Sequence, residues 1–227
     1  GSTINGPGTI TNAAGQTLTV TGGIINAALT NQGLLVFGGS GTFNGAFTAA
    51  AGSTLRVQGN GTQGAAVLTV ATGFTNAGAI ELTDIVGAFG ATLTVTTGTL
   101  TNAPTTGTIT ALAGALGPRT LTAQLDNQGL VTVSQPLTLG RASAVHSNGA
   151  TLNVSGGDLT ISQSGTTPSF SNTGTLTIGA GFTFTNGATD TAGAKNFGTG
   201  TIASTNSAFA FGTTAVTLTA NTTFTAG

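Results

Sequence analysis

The sequence predicts an all-β chain and, within that class, a β-solenoid (a parallel β-helix) of degenerate coils. Three observations predict it. Two short phrases recur and alternate along the chain. The segments inside them alternate apolar and polar residues, the period-2 signal of half-buried strands. Gly and Asn punctuate those segments, and no stretch carries the apolar stripe of a helix.

The first phrase is an apolar residue, then Thr, Ser or Asp, then Asn, usually followed shortly by Gly and a short strand. It reads Leu29-Thr30-Asn31-Gln32-Gly33, Phe74-Thr75-Asn76-Ala77-Gly78, Leu125-Asp126-Asn127-Gln128-Gly129 and Phe170-Ser171-Asn172-Thr173-Gly174. Looser versions start at Ile10, Leu100 and Phe184. The second phrase, Gly-x-Thr-Leu-x-Val, covers 15–20, 52–57, 90–95 and 149–154, with a variant at 117–123. The spacings between the phrase asparagines are 19, 45, 26, 25, 45 and 14 residues, so coils of unequal length are expected. One such coil cannot bury its own apolar side, whereas stacked coils bury a continuous core. Inward asparagines can then ladder through their side-chain amides. Ten or so coils at about 4.8 Å each would give a rod of roughly 50 Å.

The punctuation has a local cause. Asn5-Gly6, Asn44-Gly45, Asn60-Gly61, Asn148-Gly149 and Asn186-Gly187 read as turn dipeptides, because both residues tolerate positive φ. Gly inside a helix costs about 1 kcal/mol each, which disfavours helix throughout. A β-sandwich is the alternative fold at this length. A membrane barrel ranks below it, since the chain has no Trp or Tyr for aromatic girdles. Residues 1–181 form the repetitive part. Residues 182–227 keep the composition and lose the clear phrases, so they read as divergent coils or as a strand segment pairing with a neighbour.

Of 227 residues, 50 are Thr, 38 Gly and 33 Ala, and only nine are formally charged. Four scattered Lys and Arg cannot track a phosphate backbone, so no nucleic-acid partner is expected. The absence of Cys removes disulfides and thiolate metal sites. A net charge of −1 puts little repulsion between copies. No run approaches the roughly 18 apolar residues of a membrane helix, and no basic-then-apolar signal segment opens the chain, so any export signal is expected to be gone already.

Candidates for chemistry are few. His146, the one histidine, could be served by Ser143 or Ser147 and oriented by Asp126 or Asp158, yet no nucleophile elbow supports a triad. A surface histidine beside a turn is the expectation, and no second metal ligand sits at useful spacing. Glu81 and Asp84 are the closest carboxylates. Glu81 should point outward, with Asp84 on the opposite parity or in the following turn. A glycosidase pair would also need an aromatic platform, which the sequence does not offer. Lys195, beside Asn196 and near Asp190, reads as a solvated turn residue in preference to an isopeptide staple. Gly39-Ser40-Gly41 and Gly198-Thr199-Gly200 lack the rest of a phosphate loop and read as turns. The sequons at Asn60, Asn153 and Asn221 are explained by chance in so Asn- and Thr-rich a chain. No catalytic, cofactor-binding or metal residue is therefore assigned, no cofactor is expected, and the chain is read as non-enzymatic.

One pattern suggests a surface. Thr17/Thr19, Thr92/Thr94, Thr120/Thr122, Thr175/Thr177, Thr183/Thr185 and Thr217/Thr219 each flank an apolar residue. Outward on a solenoid they could align into a flat threonine array, and resemblance to β-solenoid antifreeze proteins would then imply ice binding. The plainer account is that Thr is simply the commonest polar strand residue in this chain.

The Asn-x-Gly and Gly-x-Thr-Leu-x-Val phrases over residues 10–180 resemble the repetitive passengers of bacterial autotransporters and filamentous-haemagglutinin-like exoproteins. They are also similar to large low-charge surface proteins of environmental bacteria. The resemblance implies a secreted, right-handed β-solenoid serving adhesion or surface structure. No translocator barrel, secretion signal or capping region is evident, so the secretion route is open. Uncapped ends would expose strand edges that pair with another chain, as in a piece of a longer rod or in subunits stacked end to end. The expected function is thus an exported, self-assembling structural segment of a fibre, surface layer or biofilm matrix, located outside the cell or on its surface. Its partners would be copies of itself. The alternatives are an adhesin passenger binding glycans or surfaces through its loops, and an ice-binding solenoid.

Overall fold

The computed structural model describes residues 1–162, 164–166 and 168–185 with their side chains. It also describes the backbone of Asn186 and of strands at 194–196, 201–204, 208–210, 216–217 and 224–225. The described residues form strands and turns without a helix, stacked as a β-solenoid of about eight turns. Every strand pairing is parallel, and one antiparallel bridge, Asn60 to Gly64, lies in a turn.

The pairings divide each coil into three faces. Sheet A holds the short strands that end on the phrase asparagine, such as Thr9–Asn12, Ala28–Asn31 and Ser169–Asn172, together with Val145–Asn148. Sheet B holds the strands just past that corner, such as Thr54–Gly59, Ala79–Asp84 and Thr108–Ala111. Sheet C closes the coil, and in several coils one long strand supplies two faces. Leu34–Phe43 runs from B into C, while Ala91–Asn102 and Arg119–Asn127 run from C into A.

Alternation within a strand becomes a column across coils. On sheet B the inward column runs Leu18, Leu35, Leu55, Ile80, Ile109, Val131, Leu152 and Leu176, each in register with the next. From Leu35 onward these are buried, and each stabilises the fold by roughly 1.5–3 kcal/mol relative to exposure. Phe37, Phe43, Phe47 and Phe74 form a chain of ring contacts with centroids 4.9–5.8 Å apart. The first coil leaves the core open, with Ile4, Ile10, Leu18, Val20 and Ile24 lining a hollow of about 300 Å³.

The irregular spacing of the asparagines has a simple resolution. Each 45-residue gap hides a corner: Phe47-Thr48-Ala49 occupies the first, and His146-Ser147-Asn148 the second. The second phrase proves to serve two faces. Its copies at 15–20, 52–57 and 149–154 lie on sheet B, whereas those at 90–95 and 117–123 lie on sheet C.

The turn glycines require one correction. Gly6, Gly45, Gly61 and Gly149 of the Asn-Gly dipeptides do not adopt positive φ, and Gly187 lies outside the described residues. Close approach is what selects Gly at the Asn-x-Gly corners. A Cβ on Gly78 would stand 2.3 Å from the Ser53 carbonyl oxygen, and one on Gly129 2.3 Å from that of Gly107. The preceding corner passes too near for any side chain.

Candidate functional site

The most regular polar feature is internal. Asn12, Asn31, Asn76, Asn102, Asn127, Asn148 and Asn172 are all buried at the A–B corner. Along this spine the side-chain amide of one residue donates to the amide oxygen of the next. The bonds are Asn12 to Asn31 (2.8 Å), Asn76 to Asn102 (2.9 Å), Asn102 to Asn127 (2.8 Å), Asn127 to Asn148 (2.6 Å) and Asn148 to Asn172 (2.6 Å). Each donor amide also bonds a main-chain carbonyl opening the next coil's B strand, for instance Asn127 to Thr151 at 2.9 Å. A buried amide left alone would cost about 1–3 kcal/mol, so the ladder satisfies the corner while tying coil to coil. A second, exposed ladder joins Asn44 to Asn26 and Asn26 to Asn5.

His146 departs from expectation. It is 1% exposed, with its ring among the core columns and not at the surface. The reason is parity. Asn148 points inward, so the residue two places before it does too, and His146 takes the apolar slot of the first phrase. Its Nδ1 accepts from the Leu125 amide at 3.2 Å, while Nε2 has no partner. Burial, followed by the positive charge of Arg141, lowers its pKa from the ordinary 6.5 to about 4.

No triad assembles around it. Ser147 faces outward and donates to Asp126 at 2.6 Å, on the opposite side of the strand from the imidazole. Ser143 accepts from the Thr166 amide at 3.1 Å, and Asp158 from the Thr183 amide at 2.8 Å. A serine and a carboxylate are brought together without the base that would join them.

The two close carboxylates each belong to an arginine. Glu81 points outward on sheet B, as expected, and meets its register partner Arg56 at 2.6 Å. Asp84 ends the same strand on the opposite parity, the first of its two expected places, and is buried. Its carboxylate meets Arg119 at 2.5 Å, with both side chains fully covered, and accepts from the amides of Ala115 and Gly117 at 2.7 and 2.8 Å. Arg119 stands in an inward position of sheet C between Ala91 and Leu137. Its other donors reach the carbonyls of Leu112 and Gly117. Burial alone would raise the Asp84 pKa. The Gly117 amide, Arg119 and the Ala115 amide together outweigh it, and the carboxyl is held below its usual range. The Asp84–Arg119 pair therefore anchors the 113–118 loop, and the carboxylates of Glu81 and Asp84 do not share a cleft.

The remaining candidates are quickly placed. Lys195 lies in the strand Ala194–Asn196, in register with Phe170, and not in a turn; its side chain and Asp190 lie outside the described residues. Gly39-Ser40-Gly41 is not a turn but lies inside the strand Leu34–Phe43, where Gly39 at φ 68° bends it from sheet B into sheet C, and Gly198-Thr199-Gly200 lies outside the described residues. Asn60 accepts from the amides of Thr62 and Gln63 in a turn, Asn153 is in a sheet-B strand, and Asn221 lies outside the described residues. Among the described residues no three His, Cys, Asp or Glu side chains gather as metal ligands.

The outer surface is ordered by the same register. The Thr-x-Thr pairs divide over the faces: Thr17/Thr19 and Thr175/Thr177 on sheet B, and Thr92/Thr94, Thr120/Thr122 and Thr183/Thr185 on sheet C. Thr217 pairs with Asn196 on sheet A, and Thr219 lies outside the described residues. Sheet C nevertheless carries two threonine columns. One runs Thr92, Thr120, Thr138, Thr160 and Thr185. The other runs Thr42, Thr69, Thr94 and Thr122.

No protein family, curated protein or solved structure matches the chain.

Proposed function

We propose that the chain is a structural rod of the exported kind, a segment of an extracellular fibre, surface layer or matrix that assembles with copies of itself and carries no catalytic chemistry. One observation supports this above the others. Coil meets coil through the same apolar columns, and through the same asparagine bond from residue 12 to 31 and again from residue 76 to 172. An interface that repeats by translation has no built-in stop, and head-to-tail contacts of that kind give filaments instead of closed rings. A net charge of −1 opposes such contact weakly. Electron microscopy of the purified chain at low and high salt tests the reading. Long regular fibres at both support it, because salt screens only charge-driven assembly. Isolated short rods at both would sink it.

A second reading rests on the threonine columns of sheet C. Where Thr92/Thr94 stacks on Thr120/Thr122, four hydroxyl-bearing side chains form a flat two-by-two array. Such an array favours an ordered flat partner, ice included. Thermal hysteresis in the wild type that disappears in Thr94→Tyr with Thr122→Tyr would support this reading, and its absence in the wild type would end it.

A further inference from the structure

We infer that the corner joining sheet C to sheet A in the coil of Asn148, residues 140–146, is an acid-released joint: a proton taken up by the buried imidazole of His146 breaks its bond to Leu125 and frees the coil there. In the two preceding coils one strand runs unbroken through this corner, as Ala91–Asn102 and Arg119–Asn127. Here the strand stops at Leu139 and restarts at Val145, with Ser143 at φ 55° in between. Main-chain register with the preceding coil returns at Asp126–Ser147 and Asn127–Asn148. Just before it, side chains stand in for the ladder. The Leu125 amide donates to His146 Nδ1 at 3.2 Å, and the Val145 amide donates to Gln124 Oε1 at 3.2 Å.

The bond assigns the tautomer. Nδ1 accepts, so the proton of the neutral ring sits on Nε2, where it has no partner. A second proton could enter only at Nδ1, and would set an N–H against the N–H of Leu125. One proton therefore removes a bond between coils and places a charge in a site 1% exposed. The neighbours do not relieve it. Leu125 and Phe170 flank the ring in its column. Arg141, bonded to the Gly98 carbonyl, adds a like charge. Asp126 faces the other way and is engaged by Ser147 and Gln128. Lys195 holds the same register one coil beyond Phe170.

The direction follows from the lowered pKa. Between about 4 and 6.5 the opened joint takes the proton and the closed one does not, so acid favours opening across that window. This joint is independent of whether the rods form fibres.

Amide exchange and imidazole nitrogen shifts, followed by NMR on the full chain from pH 7 to pH 4, test it. At pH 7 the ring should be neutral with its proton on Nε2. At pH 5, after correction for intrinsic exchange, opening at Leu125 and Val145 should be about 20-fold greater than at pH 7. Leu35 and Leu55, in distant coils, should not change. His146→Gln keeps an acceptor that does not titrate, so its opening should stay level over the same range. Unchanged protection at Leu125 in the wild type overturns the proposal, and so does an equal acid response in His146→Gln. If that variant does not fold, the wild-type titration decides alone.

Discussion

Ala49 stands in register against Asn76, and the amide oxygen of Asn76 consequently faces a methyl group where every later rung receives a side-chain N–H. The spine is thus in two pieces, residues 12–31 and residues 76–172, divided by one residue of the wrong type. Ala49→Asn should join them, donating to Asn76 and to the Ala79 carbonyl that opens the same coil's B strand. The expected gain is about 1 kcal/mol, read as a higher urea midpoint at unchanged slope. A lower midpoint would show that the corner has closed around the alanine too tightly to admit an amide.

Asp84 and Arg119 should be far less tolerant than Arg56 and Glu81. Arg119→Met leaves a buried carboxylate uncompensated and should cost about 3–5 kcal/mol in urea unfolding. Glu81→Gln breaks a pair partly open to water and should cost no more than about 1 kcal/mol. Equal losses would mean that the covered pair contributes nothing special to the 113–118 loop.

The corner glycines should divide by geometry and not by the dipeptide they belong to. Gly129→Ala must push aside the Gly107 and Ala103 carbonyls, 2.3 and 2.5 Å from the new methyl group, and should cost more than 2 kcal/mol. Gly149→Ala meets nothing nearer than 3.6 Å and has no positive φ to sacrifice, so its melting temperature should stay close to wild type.

Acid should weaken the fold in two windows. The folded-state pKa of His146 is lowered from 6.5 to about 4, so its contribution is present above 6.5 and is lost as the pH falls toward 4, by about 3 kcal/mol at most. The Asp84 pKa is lowered too, so its contribution is present above the usual 3.8 and disappears only below it. Urea midpoints from pH 7 to pH 2 should fall in both stages, and His146→Phe should remove the first alone. Loss of both stages in that variant would show that the two sites do not titrate independently.

Much of the fold was legible because strand alternation and stacking share one cause, burial of every second residue. The phrase asparagines even announced the ladder. What hid the true coil length was a pair of single substitutions in the phrase. Ala49 removed the asparagine from one corner, and His146 removed the apolar residue from another. His146-Ser147-Asn148-Gly149 still keeps the polar residue and the Asn, a signal that could have placed the imidazole inside. The role of Arg119 was not legible at all. Its partner lies 35 residues away, and only the register of two sheets brings them together. The threonine columns were equally hidden, since local pairs do not say which face they occupy.

The spine also has a sense. From Asn76 to Asn148 each amide donates toward the higher-numbered coil, and from Asn102 to Asn172 each accepts from the lower, so the individual dipoles add instead of cancelling. A rod built this way is a vector: one end offers carbonyl oxygens, the other N–H groups. Two such ends match only when the rods point the same way, and reversing one sets like poles together. Any structure these rods form by joining their spines would carry a direction, fixed by the order in which a handful of asparagines hand on a hydrogen.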